Sequence, residues 1–161
     1  MKFLSKKNIS KKDIEIKLYN DFIYLSNNVE YHLLGNHLLE NAFSLLFGAY
    51  YFQNEGLYAK SKDLLIKELN EQILSDGAHY ELSPMYHQIL LSRLLDCINL
   101  IKLNSFWKSD SLLMFLISKA SLMCSWLQKI TYQNGNIPMV NDSTYGIAPS
   151  SKELFCFAYK L

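Results

Sequence analysis

The stretch "DGAHYELSPMYH", residues 76–87, places Asp76, His79, Tyr80, Glu81, Tyr86 and His87 within twelve positions of a 161-residue sequence. Ser83 followed by Pro84 has the form of a helix N-cap and a first helical residue. Tyr86 and His87 then fall in the first turn, at the positive end of the helix dipole, where a phenolate is favoured and an imidazolium disfavoured. A phenol ordinarily titrates near pKa about 10, so a tyrosine needs such help to serve as a general base. The same position equally suits a tyrosine that packs a helix start and hydrogen-bonds through its hydroxyl. His79, Glu81 and His87 could supply metal ligands from a loop and a helix, but they form no zinc motif such as HExxH. Neither a metal nor a cofactor is expected.

A second group lies on "NHLLENAFSLLFGAYY", residues 36–51. Wound at about 100° per residue, Leu38, Leu39, Ala42, Phe43, Leu45, Leu46, Ala49 and Tyr50 fill one arc of roughly 160°. Asn36, His37, Glu40, Asn41 and Ser44 fall opposite, with Phe47 and Gly48 among them. This polar arc contains no Lys or Arg, which plainly solvated faces usually carry, and it has the composition of a cleft lining. The alternative is the outer face of an ordinary amphipathic helix.

Helical periodicity positions both groups. It predicts helices near 11–27, 36–53, 57–74, 84–103, 110–132 and 150–160. "QNEG" (53–56) ends the second helix, and "SDG" (75–77) ends the third with Gly77 as a left-handed cap. Residues 132–150 form the one long loop, in which "GNIPMV" could be a short extended segment. The fold class is all-α, about six helices in antiparallel hairpins. Residues 1–10 are read as a tail and 11–161 as one domain.

Composition supports a real core: half the chain is apolar, 20 residues are Tyr or Phe, and only 3 Pro and 6 Gly interrupt it. A net charge of +1, with a single basic run in "KKNISKK" (6–12), argues against a nucleic-acid surface. Cys97, Cys124 and Cys156 are odd in number and widely spaced, and the first two are expected as buried free thiols. No apolar run suits a signal peptide or a membrane span, so no membrane partner is expected. The chain as written is expected in the cytoplasm, or in the periplasm if an upstream part of the gene is missing.

Three blocks carry a resemblance: "NNVEYHLLGNHLLENAFSLLF" (27–47), "ILSDGAHYELSPMYHQILL" (73–91) and "NGNIPMVNDSTYGIAPS" (134–150). In this order they resemble the heparinase II/III family of polysaccharide lyases, over about residues 10–161. The resemblance implies an (α/α) toroid, helical hairpins ringed around a sugar cleft, normally followed by a β-sandwich domain. The implied partner is an acidic polysaccharide and the implied reaction is β-elimination at a uronic acid. A base removes the C5 proton, the neighbouring carboxylate is neutralised, and an acid protonates the leaving glycosidic oxygen.

By position, the resemblance makes Asn36 the carboxylate-neutralising amide, with His37 lining the same pocket. Glu40 stands where some relatives place a neutralising carboxyl, and Tyr86 matches the catalytic tyrosine. His79, Glu81, His87 and Asn41 are assigned to substrate binding or to support of the site, and Asn141 and Asp142 to a fixed loop at the cleft edge. Arg93 and Lys67 could meet sulfate or carboxylate groups, or be solvated helix charges. The chain departs from the family in having no His after His87, too few helices for a whole ring, and no β-sandwich. It is therefore expected to be the central part of a toroid, incomplete alone and prone to self-association or to a completing chain. The competing expectation is a non-catalytic helical remnant or an acidic-glycan-binding domain.

Overall fold

The computed structural model describes residues 10–33, 35–107 and 111–161. Among these residues six helices run in order: α1 Lys11–Asn27, α2 Gly35–Phe52, α3 Glu55–Gln72, α4 Pro84–Leu103, α5 Leu112–Ile130 and α6 Ser151–Lys160. Among the described residues there is no strand, only an isolated antiparallel bridge between Ile73 and His79. "GNIPMV" is therefore loop. The expected tail lies outside the described residues except for Ser10, which caps α1.

Side-chain caps set the helix starts. Ser10 with Asp13, and Ser150 with Glu153, form reciprocal capping boxes. Asn54 accepts from the Leu57 amide at 2.9 Å, so α3 begins at Glu55 and "QNEG" is cut by a two-residue connection rather than being one long turn. α3 ends at Gln72, earlier than periodicity suggested. Gly77 (φ +95°) closes the following turn instead of capping the helix. A Cβ at Gly77 would run into the Leu122 backbone carbonyl, so glycine here lets the loop lie directly on α5.

The short α2–α3 link produces one tight hairpin, and α4 and α5 form a second. α2 packs on α4 and α4 on α6, while α1 packs on α3 and α3 on α5. Even-numbered helices thus make one layer and odd-numbered helices the other, as in an incomplete helical toroid. The core between them is dominated by leucine: Leu38, Leu39, Leu45 and Leu46 from α2 and Leu90, Leu91, Leu94 and Leu95 from α4 are fully buried. Each such side chain contributes about 1.5–3 kcal/mol by leaving water.

Cys97 is buried, Cys124 is only half-buried, and all three cysteines are free thiols. No described helix is long and apolar enough to cross a membrane. α1 buries no residue fully. Its Phe22 ring rests on α2 at Gly48, where a Cβ would lie 2.6 Å from the ring edge.

Candidate active site

Gly35 opens α2 with φ +56°, a backbone shape natural to glycine. A Cβ there would lie 2.8 Å from the Tyr80 hydroxyl and 3.1 Å from Glu81 Oε1. The next residue, Asn36, donates from Nδ2 to Glu81 Oε2 at 3.1 Å, while its Oδ1 is buried without a partner. Asn36, His37, Glu40, Tyr86, Ile89 and Leu90 line one cavity of about 250 Å³. The structure therefore brings Asn36, His37, Glu40 and Tyr86 together across the α2–α4 contact, with Glu81 at the rim.

Tyr86 is held by its own helix start and by the long loop. Ser83 Oγ accepts from the Tyr86 amide at 3.3 Å, as the Ser-Pro signal predicted. Ser143 Oγ accepts from the Met85 amide at 3.3 Å and lies 3.2 Å from Ser83 Oγ. Asn141 Nδ2 donates to the Leu82 carbonyl at 3.1 Å. Leu82, Asn141 and Asp142 all have positive φ, a costly shape for non-glycine residues that these cross-links maintain. The "NDS" loop braces the helix start that carries Tyr86.

Glu40 divides this cavity from a larger one of about 870 Å³ between α1, α2 and α4. Ser44, Phe47 and Phe22 contribute to its walls, together with Arg93, Asp96 and Asn99. The polar arc of α2 is thus the side of a trough, as its lack of Lys and Arg suggested. Arg93 meets Glu40 at 3.4 Å in a largely exposed pair, which contributes little by itself. Burial pushes the Asp96 carboxyl above its ordinary range, partly offset by Arg93.

Not every expected site residue reaches this trough. His79 and His87 are 0% exposed and lie beneath the surface. His87 Nε2 donates to the Met123 carbonyl at 3.0 Å, and its ring sits 4.6 Å from that of Trp126. Burial lowers its pKa to about 4. The cause is desolvation, not the helix dipole invoked from sequence. His79 Nε2 donates to Gln72 Oε1 at 3.2 Å, and its pKa is also lowered to about 4, first by burial and then by His87. Asn41, 8% exposed, donates to Glu30 Oε2 and the His37 carbonyl and accepts from the Glu30 amide. The polar atoms of Asn41, His79 and His87 that bond at all do so within the chain, and all three residues are buried behind those that line the cavity, as suits the supporting role that was one of the two expected of the histidines.

The chain matches the heparinase II/III N-terminus family over residues 1–155. It belongs to the heparinase II/III family. A heparin-sulfate lyase of Bacteroides stercoris is similar, at 32% identity over 80 residues. The match covers 47% of this chain and spans 12% of that relative's length. No solved structure matches.

Within this heparinase II/III-family chain, two further residues serve the site without having been singled out from sequence. Gln72 and Ser143 each hold an element that carries an expected site residue. Gln72 had a signal: Leu65, Glu68, Leu69 and Gln72 follow helical i, i+3, i+4, i+7 spacing, so Glu68 and Gln72 face inward with the two leucines. Ser143 had none, because only the fold brings residue 143 to residue 85. Among the described residues, no three His, Cys, Asp or Glu side chains converge as a metal site would need.

Proposed function

We propose that this heparinase II/III-family chain carries the part of a lyase site that binds a uronic acid of an acidic polysaccharide and removes its C5 proton. The observation that carries this reading is the single cavity lined by Asn36, His37, Glu40 and Tyr86. Asn36 gives one Nδ2 hydrogen to Glu81, leaving the second for the uronate carboxylate. That hydrogen bond strengthens as charge moves onto the carboxylate in the enolate-like transition state.

The Tyr86 phenolic oxygen, acting as general base, takes the C5 proton. The C4–O4 bond breaks, a C4=C5 double bond forms, and the Tyr86 hydroxyl returns a proton to the departing O4. His37 and Glu40 line the same wall and orient the sugar. The matched stretch covers 12% of the Bacteroides stercoris lyase, and the role proposed here is confined to carboxylate binding and proton transfer by the residues that line this cavity.

The test is the near-ultraviolet absorbance of an unsaturated uronate over heparan sulfate, alginate, hyaluronan and bacterial surface glycans. Tyr86→Phe should lower turnover by about 10²–10⁴-fold while leaving glycan binding in place. Binding without any absorbance change, indifferent to Tyr86→Phe, would instead mark a non-catalytic glycan-binding domain.

A further inference from the structure

We infer that Gln72 is a positioning residue for Asn36: its buried amide ties the Gly35 carbonyl to His79 and thereby sets the Asn36–Glu81 pair at the mouth of the cavity. The inference rests on the assignment of Asn36 to carboxylate recognition.

Gln72 is 2% exposed and its side chain is fully engaged. Nε2 donates to the Gly35 carbonyl at 3.0 Å and to Glu68 Oε2 at 3.1 Å, while Oε1 accepts from His79 Nε2 at 3.2 Å. Both amide hydrogens are therefore in use. Carboxylate and carbonyl oxygens can only accept, so Glu68 and Gly35 fix which end of the Gln72 amide is nitrogen. That in turn puts the proton of His79 on Nε2. Glu68 is itself buried, with Oε1 3.2 Å from the Lys67 ammonium.

The Gly35 carbonyl and the Asn36 nitrogen belong to one planar peptide group. Holding that carbonyl fixes the backbone from which the Asn36 side chain springs. Gly35 has no side chain to lock the peptide, and Gln72 adds a restraint from outside α2. The other partner is reached through the same residue. The Gln72 backbone carbonyl accepts from the Tyr80 amide at 2.9 Å, and Gln72 Oε1 holds the His79 ring. Glu81 follows directly. One residue of α3 thus governs both members of a pair that it does not touch.

Two variants of the full chain test this. Gln72→Met removes all three side-chain hydrogen bonds at similar volume. The exchange Glu68→Gln with Gln72→Glu keeps the volume, the acceptor for His79 and a bond between the two residues, but removes the donor to Gly35. The primary readout is the Asn36 side-chain amide signal pair in the nitrogen–proton spectrum. It should shift in both variants, with Gly35 and Glu81 moving and the core leucine methyl signals unchanged.

In the elimination assay, Gln72→Met should lower turnover about 10–100-fold, and should cost little more once Asn36→Ala is present. Unmoved Asn36 signals in either folded variant, or full additivity with Asn36→Ala, would overturn the inference. If Gln72→Met does not fold, the exchange variant decides alone. Absence of elimination by the wild-type protein would count against the lyase reading, while the Asn36 signals would still test the role of Gln72.

Discussion

Asn36 and Glu81, 45 positions apart in sequence, are joined by a 3.1 Å hydrogen bond from the amide to the carboxylate. The amide assigned to a substrate carboxylate already holds a carboxylate of its own chain. Glu81 therefore orients Asn36 and also repels an incoming anion. Glu81→Gln keeps an acceptor and removes the charge. It should bind a uronate oligosaccharide about two- to five-fold tighter, the scale of an exposed charge interaction. Glu81→Ala frees the amide and should bind more weakly. Calorimetric titration separates the two, and equal weakening by both substitutions would reject the repulsive role.

Ser83 and Ser143 share one task at the start of α4. Ser83→Ala should cost about 1 kcal/mol as a lost N-cap, and Ser143→Ala about 1 kcal/mol as a lost acceptor for the Met85 amide. Their hydroxyls are in contact, so the double variant should cost less than the sum. Denaturant midpoints provide the measurement; simple additivity would show that the two hydroxyls act independently, and no loss in Ser143→Ala would show that the loop does not brace the helix.

The buried histidines make stability depend on pH. His79 and His87 titrate near 4 when folded, against about 6.5 when exposed in the unfolded chain. Between these values the unfolded chain binds more protons, so acidification favours unfolding. Stability should be full above about pH 6.5 and fall toward pH 4, by on the order of 1–3 kcal/mol per ring. His87→Gln, which keeps a donor for Met123, should flatten the decline in thermal melts across that range. An unchanged slope would exclude His87 as a source.

Gly48 admits the Phe22 ring against α2. Alanine would gain about 1 kcal/mol of helix propensity but must displace a whole ring rather than a flexible tip. Gly48→Ala should therefore loosen α1, read as faster amide exchange along 11–27, and leave signals from Asn36 and Tyr86 in place. Unchanged exchange in α1 would show that the ring relocates without cost.

The helices were legible because their signals are local: leucine periodicity, Ser-Pro at 83–84, and Ser150 with Glu153. Tyr86 and Asn36 were legible as candidates because local pattern exposed the helix start and a polar arc free of Lys and Arg. The burial of His79 and His87 was not, since it depends on α5, whose Leu122, Met123 and Trp126 lie at the loop or at His87. The burial of Asn41 was not legible for a related reason. Its arc faces the trough, but the chain at Glu30 folds over that particular position. Periodicity gives the direction of a side chain along its own helix and not what the rest of the chain lays upon it.

α1 contributes no fully buried residue, yet its Leu18, Asp21, Phe22 and Leu25 wall the larger cavity. No residue of α1 lines the smaller one. Segments with little buried surface detach at a fraction of the global unfolding free energy. The trough therefore has one fixed bank and one detachable bank. On the proposed lyase reading, a long glycan would be laid in from the side when α1 lifts, with Asn36 and Tyr86 standing unchanged, rather than enter end-first.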